Sequence, residues 1–292
     1  MRALALHPDV LVLTSAVLGV NCVIVRGAVE DAVAAGGEAT QGGGEASEAG
    51  AEATQAGAER TLGETFVIDS PVLPDELDAL PALLAQARFP EPSGLLATHG
   101  DWDHLLGRLA FPGAALGCAE STARRLQASP GEAQRELRRF DEELLIERPR
   151  PLALGSLQAL PVPGRCDVGE RELELHPADG HTPDGMAVLI VWAGVLVAGD
   201  YLSTLELPTL NDGGDLDAYL ATLERLRPLA AGAEHVVPGH GTVLDGAGAL
   251  AVLEEDAAYL LALRQLGSEA ELPAGRRGQV QRARHAQNVA AL

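Results

Sequence analysis

The sequence has few basic residues for its length. Its 292 residues include 21 Lys and Arg against 42 Asp and Glu, which gives a formal net charge of −21. A protein that follows a nucleic-acid backbone needs a positive surface to release the counterions of the phosphates. The charge therefore disfavours nucleic acid as a partner, and it favours solubility.

Cysteines and long apolar runs are also scarce. Cys22, Cys118 and Cys166 are far apart and form no paired motif, so we expect a reducing compartment and three buried thiols. The apolar N-terminal stretch is broken by a His-Pro-Asp sequence at residues 7–9, unlike a signal peptide. No run reaches the roughly 18 apolar residues of a membrane helix, so we expect a cytoplasmic protein without a membrane partner.

Aromatic residues make up only 3% of the chain, although hydrophobic residues make up 47%. Leu, Val and Ala must therefore fill the core, and a chain of this length buries a substantial one. We assign residues 1–268 to a single domain. We assign residues 269–292 to a C-terminal tail that contains a short helix.

One segment of this domain has low complexity. From Gly36 to Gly63 the chain repeats Gly, Ala, Glu and Thr every seven residues, without the large apolar residues of a coiled-coil seam. We interpret residues of about 30–62 as a disordered loop inserted into a β-hairpin. The strands of that hairpin are predicted at 21–25 and 65–69.

Strand-like runs alternate with amphipathic stretches in the rest of the chain. Pro74-Asp75 opens a predicted helix with leucines at helical spacing. Further helices are predicted at 119–128, 132–147, 216–230 and about 248–266. Strands in two groups, each followed by helices, predict an α/β fold in which polar loops follow the strands.

Four predicted strands end in loops that combine Gly with His or Asp. The loops are THGDWDH (98–104), DGHTPDG (179–185), AGDYL (198–202) and VVPGHGT (236–242). They supply seven candidate metal ligands, namely His99, Asp101, Asp103, His104, His181, Asp200 and His240. Imidazoles and carboxylates in this number are enough to hold two divalent cations, with positions left for water and substrate. A water between two such ions loses its proton near neutral pH and attacks a carbonyl or phosphoryl centre.

These loops resemble the motifs of the metallo-β-lactamase superfamily. The family signature is His-x-His-x-Asp-His, followed by a His in a GHTPG-like turn, an Asp in a Gly-Asp pair and a last His in a PGHG-like loop. The resemblance spans residues of about 10–245 and keeps the family order, with His-x-Asp-x-Asp-His as a variant first motif. It implies a four-layer αββα sandwich with metals in a groove at one edge of the two sheets.

The resemblance also implies a division of the ligands. It assigns His99, Asp101 and His181 to one metal. It assigns Asp103, His104 and His240 to the second metal, with Asp200 as the bridge between the two.

Asp101 stands where the family has its second histidine. A third carboxylate lowers the net positive charge around the ions, so we expect a less acidic bound water. Oxygen ligands also suit harder ions, so Mn or Fe become alternatives to Zn, the metal that we expect first. A one-metal site at Asp103, His104 and His240 is a further alternative, if Asp101 is too short to reach an ion.

We therefore expect a metal-dependent hydrolase of a small-molecule ester, thioester or lactone, with a metal-bound hydroxide at a mono- or dinuclear site. A diiron redox protein is the second hypothesis, because the flavodiiron oxygen and nitric oxide reductases carry a carboxylate at the position of Asp101. Those proteins resemble a fusion with a flavodoxin domain, for which the chain after residue 245 is too short. A non-catalytic metal-binding relative is the third hypothesis, and a homodimer is left open.

Two residues are candidates for a direct catalytic role. Asp103 is a candidate to orient the attacking water as well as to bind metal. Tyr201 either donates a hydrogen bond to an oxyanion or packs under its loop.

The walls of the pocket are a separate prediction. Trp102 either forms one wall of the pocket or anchors its loop in the core. The Leu, Pro and Thr residues of 202–215 predict a modest apolar pocket for a small molecule.

Overall fold

The computed structural model describes residues 1–27, 63–210 and 213–292. The insertion predicted at 30–62 lies outside the described residues. These residues form a seven-stranded and a five-stranded sheet. The first sheet contains, in spatial order, β1 (Arg2–His7), β2 (Val10–Thr14), β3 (Asn21–Arg26), β4 (Thr65–Ile68), β5 (Gly94–Ala97), β6 (Ala115–Ala119) and β7 (Leu157–Leu160). The second contains β8 (Gly164–Val168), β9 (Arg171–Pro177), β10 (Met186–Ile190), β11 (Val195–Val197) and β12 (His235–Val237), again as neighbours in that order.

The helices lie in two groups along the chain. The first group consists of α1 (Pro74–Gln86), α2 (Gly107–Ala110), α3 (Glu120–Ala128) and α4 (Glu132–Leu144). The second consists of α5 (Leu216–Gly232), α6 (Gly246–Leu266) and α7 (Gln279–Ala291). Among the described residues, every helix is either too short or too polar to span a lipid bilayer.

Three apolar clusters define the layers of the fold. One cluster joins α1, α3 and α4 to the outer face of the first sheet, for example through Leu80 and Ile24. A second lies between the two sheets and contains Val23 and Val188. A third joins the second sheet to α5 and α6. The layers are therefore helix, sheet, sheet and helix, and the predicted αββα sandwich is confirmed.

The strand directions place the predicted site loops at one edge of the sandwich. In the second sheet, β9 and β11 are both antiparallel to β10, and β12 is parallel to β11. Their carboxyl ends, which carry His181, Asp200 and His240, thus meet at the same edge. The loop after β5 joins them from the first sheet, where the Met186 N–H donates to the Thr98 carbonyl at 2.7 Å.

Asn21 fastens the two sheets together at this edge. Its buried side chain donates to the carbonyls of Pro238 (2.8 Å) and Gly241 (3.1 Å), which lie on either side of His240. The Asn21 N–H also donates to the Gly239 carbonyl at 2.7 Å. The start of β3 therefore holds the loop that carries His240.

Two local predictions need correction. The predicted helix at 132–147 ends at Leu144, because Leu145 takes a left-handed conformation with φ of 55°. Cys22 and Cys118 are buried, but Cys166 is only half-buried, since it lies on β8 at the edge of its sheet.

Candidate metal centre

Asp200 lies at the centre of the four predicted histidine ligands. Its Oδ2 is 3.6 Å from His99 Nε2, 3.3 Å from His181 Nε2 and 3.4 Å from His240 Nε2. Its Oδ1 is 3.2 Å from His104 Nε2. Four imidazoles from three loops therefore point the same type of nitrogen at one buried carboxylate.

The two remaining carboxylates divide the cluster into two groups. Asp101 Oδ2 is 3.5 Å from both His99 Nε2 and His181 Nε2. Asp103 Oδ2 is 3.4 Å from His240 Nε2, and its Oδ1 is 3.9 Å from His104 Nε2. Within each group the candidate ligand atoms lie within 4.8 Å of one another. The structure thus brings together all seven residues predicted from the sequence, in the two groups that the resemblance implied.

This donor set fits divalent cations. Within the described part of the chain, His99 Nε2, His104 Nε2, His181 Nε2 and Asp200 Oδ1 are buried without a hydrogen-bond partner. Buried polar atoms are normally paired, because an unpaired one loses its hydration without compensation. Nitrogen and oxygen atoms that converge in this way are the ligands that Zn, Mn and Fe accept.

A glycine allows the loop of His240 to approach Asp200. A Cβ atom at Gly239 would lie only 2.0 Å from Asp200 Oδ1. A side chain at this position would therefore push the His240 loop away from the carboxylate. The close approach of the two loops therefore requires a glycine before the histidine of PGHG.

A second set of polar groups holds the rings in place. His104 Nδ1 lies 3.0 Å from Asp69 Oδ2, and His240 Nδ1 lies 3.0 Å from the Leu18 carbonyl. Asp69 also accepts bonds from the N–H and hydroxyl of Thr98, at 2.8 and 2.9 Å. Such partners fix the orientation of ligand imidazoles. Asp69 was not predicted from the sequence, although it follows strand β4 directly.

Arg125 on α3 is a further residue of the site that was not predicted from the sequence. Its guanidinium lies 2.8 Å from Asp101 Oδ1 and 2.8 Å from Asp184 Oδ1. Asp184, the aspartate of HTPDG, is buried and accepts the Gly100 N–H at 2.9 Å through its other oxygen. Asp184 therefore joins two of the candidate metal loops, as well as shaping its own turn.

The aspartates and histidines stabilise each other's charges in the protein alone. Burial disfavours the charged form of Asp200, but His240, His104 and His99 hold its pKa well below the usual value. Burial also disfavours protonated histidine, yet Asp101 and Asp200 raise the pKa of His181 to about 10. Asp200 and Glu206 likewise raise the pKa of His240 to about 10. The metal-free cluster therefore holds protons at neutral pH.

We expect metal binding to strengthen as the pH rises. The raised histidine pKa values stabilise the folded metal-free protein fully below about pH 6.5, and this contribution is lost as the pH rises towards 10. An ion must displace these protons, so its apparent association constant should rise about tenfold per pH unit for each proton displaced. Competition with a chromophoric chelator at pH 6.5, 7.5 and 8.5 measures this. An affinity that is constant over the range would contradict the protonated cluster.

The cluster forms one wall of a cavity of about 220 Å³. Most of the residues that line it are polar or charged, including Asp103, Glu136, Glu206 and Arg284. The prediction of a modest apolar pocket was wrong, because the segment 202–215 turns Glu206 and Thr209 towards the site, while Leu207 and Leu210 are buried in the core. Arg284 on α7 brings the C-terminal segment to the cavity as well.

Tyr201 does not have the position predicted for an oxyanion donor. Its hydroxyl donates to the Asp179 carbonyl at 2.7 Å and accepts the His181 N–H at 2.9 Å. Its ring is buried against Tyr219, with centroids 4.5 Å apart. Tyr201 thus supports the loop of His181 from below. Of the two predicted roles of Tyr201, the hydrogen bond to an oxyanion is wrong, and the packing under the loop agrees with the structure.

Trp102 combines its two predicted roles. It lines the cavity next to Asp101 and Asp103. It also packs on Phe140 of α4, with ring centroids 4.7 Å apart. The same ring therefore walls the pocket and anchors the loop.

Known proteins share the family and the fold of this chain. The model of the family described as "Metallo-beta-lactamase superfamily" matches residues 63–240, from just before β4 to His240. The chain therefore belongs to the metallo-beta-lactamase superfamily. No curated protein matches it in sequence.

Solved structures share the fold at low sequence identity. A metallo-beta-lactamase family protein from Thermus thermophilus is 20% identical, with a TM-score of 0.61, over 99% of this chain and 93% of that chain. A metallo-beta-lactamase from Pontibacter korlensis is 17% identical, with a TM-score of 0.54, over 87% of this chain and 98% of that one. The protein TTHA1623, solved in a di-iron-bound form, is 20% identical, with a TM-score of 0.53, over 81% of this chain and 94% of that chain. At these identities the likeness establishes the fold.

Proposed function

We propose that the protein is a metal-dependent hydrolase of a small-molecule ester, thioester or lactone. The observation that carries this proposal is the Asp200 carboxylate, which faces four buried imidazole nitrogens at 3.2–3.6 Å in the wall of a cavity. A merely structural cluster of histidines would bury these nitrogens in hydrogen bonds. Here they converge on one point that borders solvent-accessible space.

The residues would divide the work as follows. His99, Asp101 and His181 would hold one divalent ion, Asp103, His104 and His240 a second, and Asp200 would lie between them. Such ions, when bound, polarise a substrate carbonyl and acidify water. Asp103 lines the cavity and lies 3.4 Å from His240 Nε2 through Oδ2, so its carboxylate would orient the attacking water as well as bind metal.

The cavity fits a compact, polar substrate. Its volume of about 220 Å³ lies below the usual range for sites of drug-sized ligands. Trp102 offers an apolar surface for the acyl or leaving group beside the carboxylates. The excess of acidic residues disfavours nucleic acid as the substrate, so we propose a small-molecule substrate. A cytoplasmic location is also part of this proposal.

A diiron redox protein is the second candidate. It is favoured by the carboxylate of Asp101 and by the di-iron form in which the similar TTHA1623 was solved. Both candidates use the same seven ligands, so metal identity and reaction distinguish them.

The test combines elemental analysis with a substrate panel. Protein purified without added metal should contain Zn or Mn and should turn over at least one member of a panel of small esters, thioesters and lactones. An Asp103→Asn variant should lose most of this turnover, whereas Asp167→Asn, on strand β8 away from the site, should keep it. Two Fe per chain without hydrolysis would support the redox candidate instead, and metal binding without either activity would support a non-catalytic relative.

A further inference from the structure

The two oxygens of Asp101 have different surroundings. Oδ2 faces the cluster, 3.5 Å from His99 Nε2 and 3.5 Å from His181 Nε2. Oδ1 faces away and contacts the Arg125 guanidinium at 2.8 Å. Only one oxygen of this carboxylate is therefore free to bind an ion beside the two imidazoles.

We propose that Asp101 and Arg125 together replace the second histidine of the family motif, as a neutral ligand with a single donor atom. A neutral imidazole offers one nitrogen to the ion and adds no charge. The Asp101–Arg125 pair offers one oxygen, and the guanidinium cancels the carboxylate charge. The inference rests on the proposed metal centre, and it assigns Arg125 as a positioning residue of that centre.

Arg125 is itself held in a fixed place. Its other guanidinium nitrogen lies 2.8 Å from the buried Asp184, whose second oxygen accepts the Gly100 N–H. Burial lowers the pKa of an arginine, but Asp101 and Asp184 raise that of Arg125, so it stays charged. The planar fork of arginine suits such a bridge between two carboxylates, and a lysine would supply only a point charge.

The adjacent arginine provides a contrast on the same helix. The side chain of Arg124 is 72% exposed and pairs only loosely with Glu120, at 3.8 Å. Surface pairs of this kind contribute little. By comparison, the Arg125 side chain is 19% exposed and spans two loops of the candidate site. Arg124 therefore serves as a matched control.

The pair changes the expectation that was based on Asp101 alone. A free third carboxylate would lower the charge around the ions, favour hard metals and make bound water less acidic. With Arg125 in place, the Asp101–Arg125 pair adds no net charge to the first group, as a histidine would add none; Asp184, the other partner of Arg125, is not one of the candidate ligands. We therefore expect Zn to be retained in preference to Mn, with Arg125 as the cause.

The experiment measures metal affinity rather than turnover. All proteins carry His240→Ala, which disables the second group of donors, so that the constant belongs to the first group. Zn and Mn dissociation constants are determined by chelator competition, and circular dichroism checks the fold. Arg125→Gln should weaken Zn binding roughly 10–100-fold, the usual effect of losing an outer partner, and should lower the preference for Zn over Mn. Arg124→Gln should change neither.

The decisive comparison repeats Arg125→Gln in an Asp101→His background. There the imidazole needs no counterion, and Arg125 keeps only its pair with Asp184, so its charge no longer compensates a metal ligand. Arg125→Gln should therefore change Zn binding much less here than it does beside Asp101. Weakening by a similar factor in both backgrounds would show a merely structural arginine and overturn the inference.

A conservative variant covers the case in which Arg125→Gln fails to fold. Arg125→Lys keeps the charge but not the planar fork, so most of the Zn preference should remain, and loss of the preference in this variant would overturn the inference. Zn binding that is independent of residue 125 would overturn this inference alone. Absence of Zn binding in all of these variants, and also in the unmodified protein measured beside them, would overturn the proposed function with it.

Discussion

Replacement of Asp200 by asparagine is expected to reduce metal affinity more than any other single change at the site. Asp200 faces all four histidines, so both groups of donors lose a charged oxygen at once. The loss of an outer partner alone typically costs 10–100-fold in affinity. We therefore expect more than about 100-fold weaker binding, metal content below one ion per chain, and loss of turnover.

Elemental analysis and chelator competition on Asp200→Asn check this expectation. The variant keeps the shape of the side chain, so thermal unfolding of the metal-free protein should stay cooperative. Asp217→Asn, at a side chain that is 83% exposed on α5, is the matched control and should bind metal as before. Full metal content in Asp200→Asn would show that the carboxylate does not bridge two ions.

Replacement of Arg276 by methionine is expected to cause the largest loss of stability. The Arg276 side chain is only 3% exposed and lies 2.6 Å from Oδ1 of the equally buried Asp256. It also donates to the carbonyls of Ser203 (3.1 Å) and Glu206 (2.8 Å). Removal of one partner from a buried ion pair costs about 3–5 kcal/mol, because the other group is left buried without compensation. Burial already raises the pKa of Asp256 to about 7, so without Arg276 part of this cost is the uptake of a proton.

Urea unfolding of the metal-free protein measures this effect. Arg276→Met should lower the free energy of unfolding by about 3–5 kcal/mol, whereas Arg277→Met, at a side chain that is 56% exposed, should have little effect. Adding Asp256→Asn to Arg276→Met should recover part of the loss, since it removes the unpaired charge. Equal effects of Arg276→Met and Arg277→Met would mean that the buried pair does not stabilise the fold.

The change should also affect the site. Arg276 holds the segment of Ser203 and Glu206, and the Ser203 hydroxyl donates to the His240 carbonyl at 2.8 Å. Glu206 lines the cavity on the same segment. Arg276→Met should therefore weaken metal binding modestly even where the protein remains folded, and Arg277→Met should not.

The sequence was most informative where residues of one kind follow a strand. His99, Asp101, Asp103 and His104 lie within six residues, so their proximity is local and could be predicted before the fold was known. The other ligands could be added because their loops also follow predicted strands, combine Gly with His or Asp, and keep the order of the family motifs. Helix positions followed from apolar periodicity, since a helix buries one face. The central strands followed from continuous apolar runs, because both faces of each sheet are covered.

Residues that act through long-range contacts could not be predicted in this way. Arg124 and Arg125 are adjacent on one helix, and only the packing of α3 beside the β5 loop makes Arg125 the partner of Asp101. Asp69 and Asp184 were visible as residues but not as partners of His104 and Arg125. The wrong alternative for Tyr201 has the same origin, because its hydroxyl bonds to backbone groups twenty or more positions earlier.

Asn21 connects the first sheet to the loop of His240. The candidate ligands are divided between the same two halves of the sandwich. An ion bound by His99 and His181, or by His104 and His240, would cross-link the two halves. Unfolding must release this ion. Each tenfold increase of the free ion concentration above its dissociation constant should therefore add about 1.4 kcal/mol to the free energy of unfolding. The melting temperature of the protein would then report on the supply of metal in its surroundings.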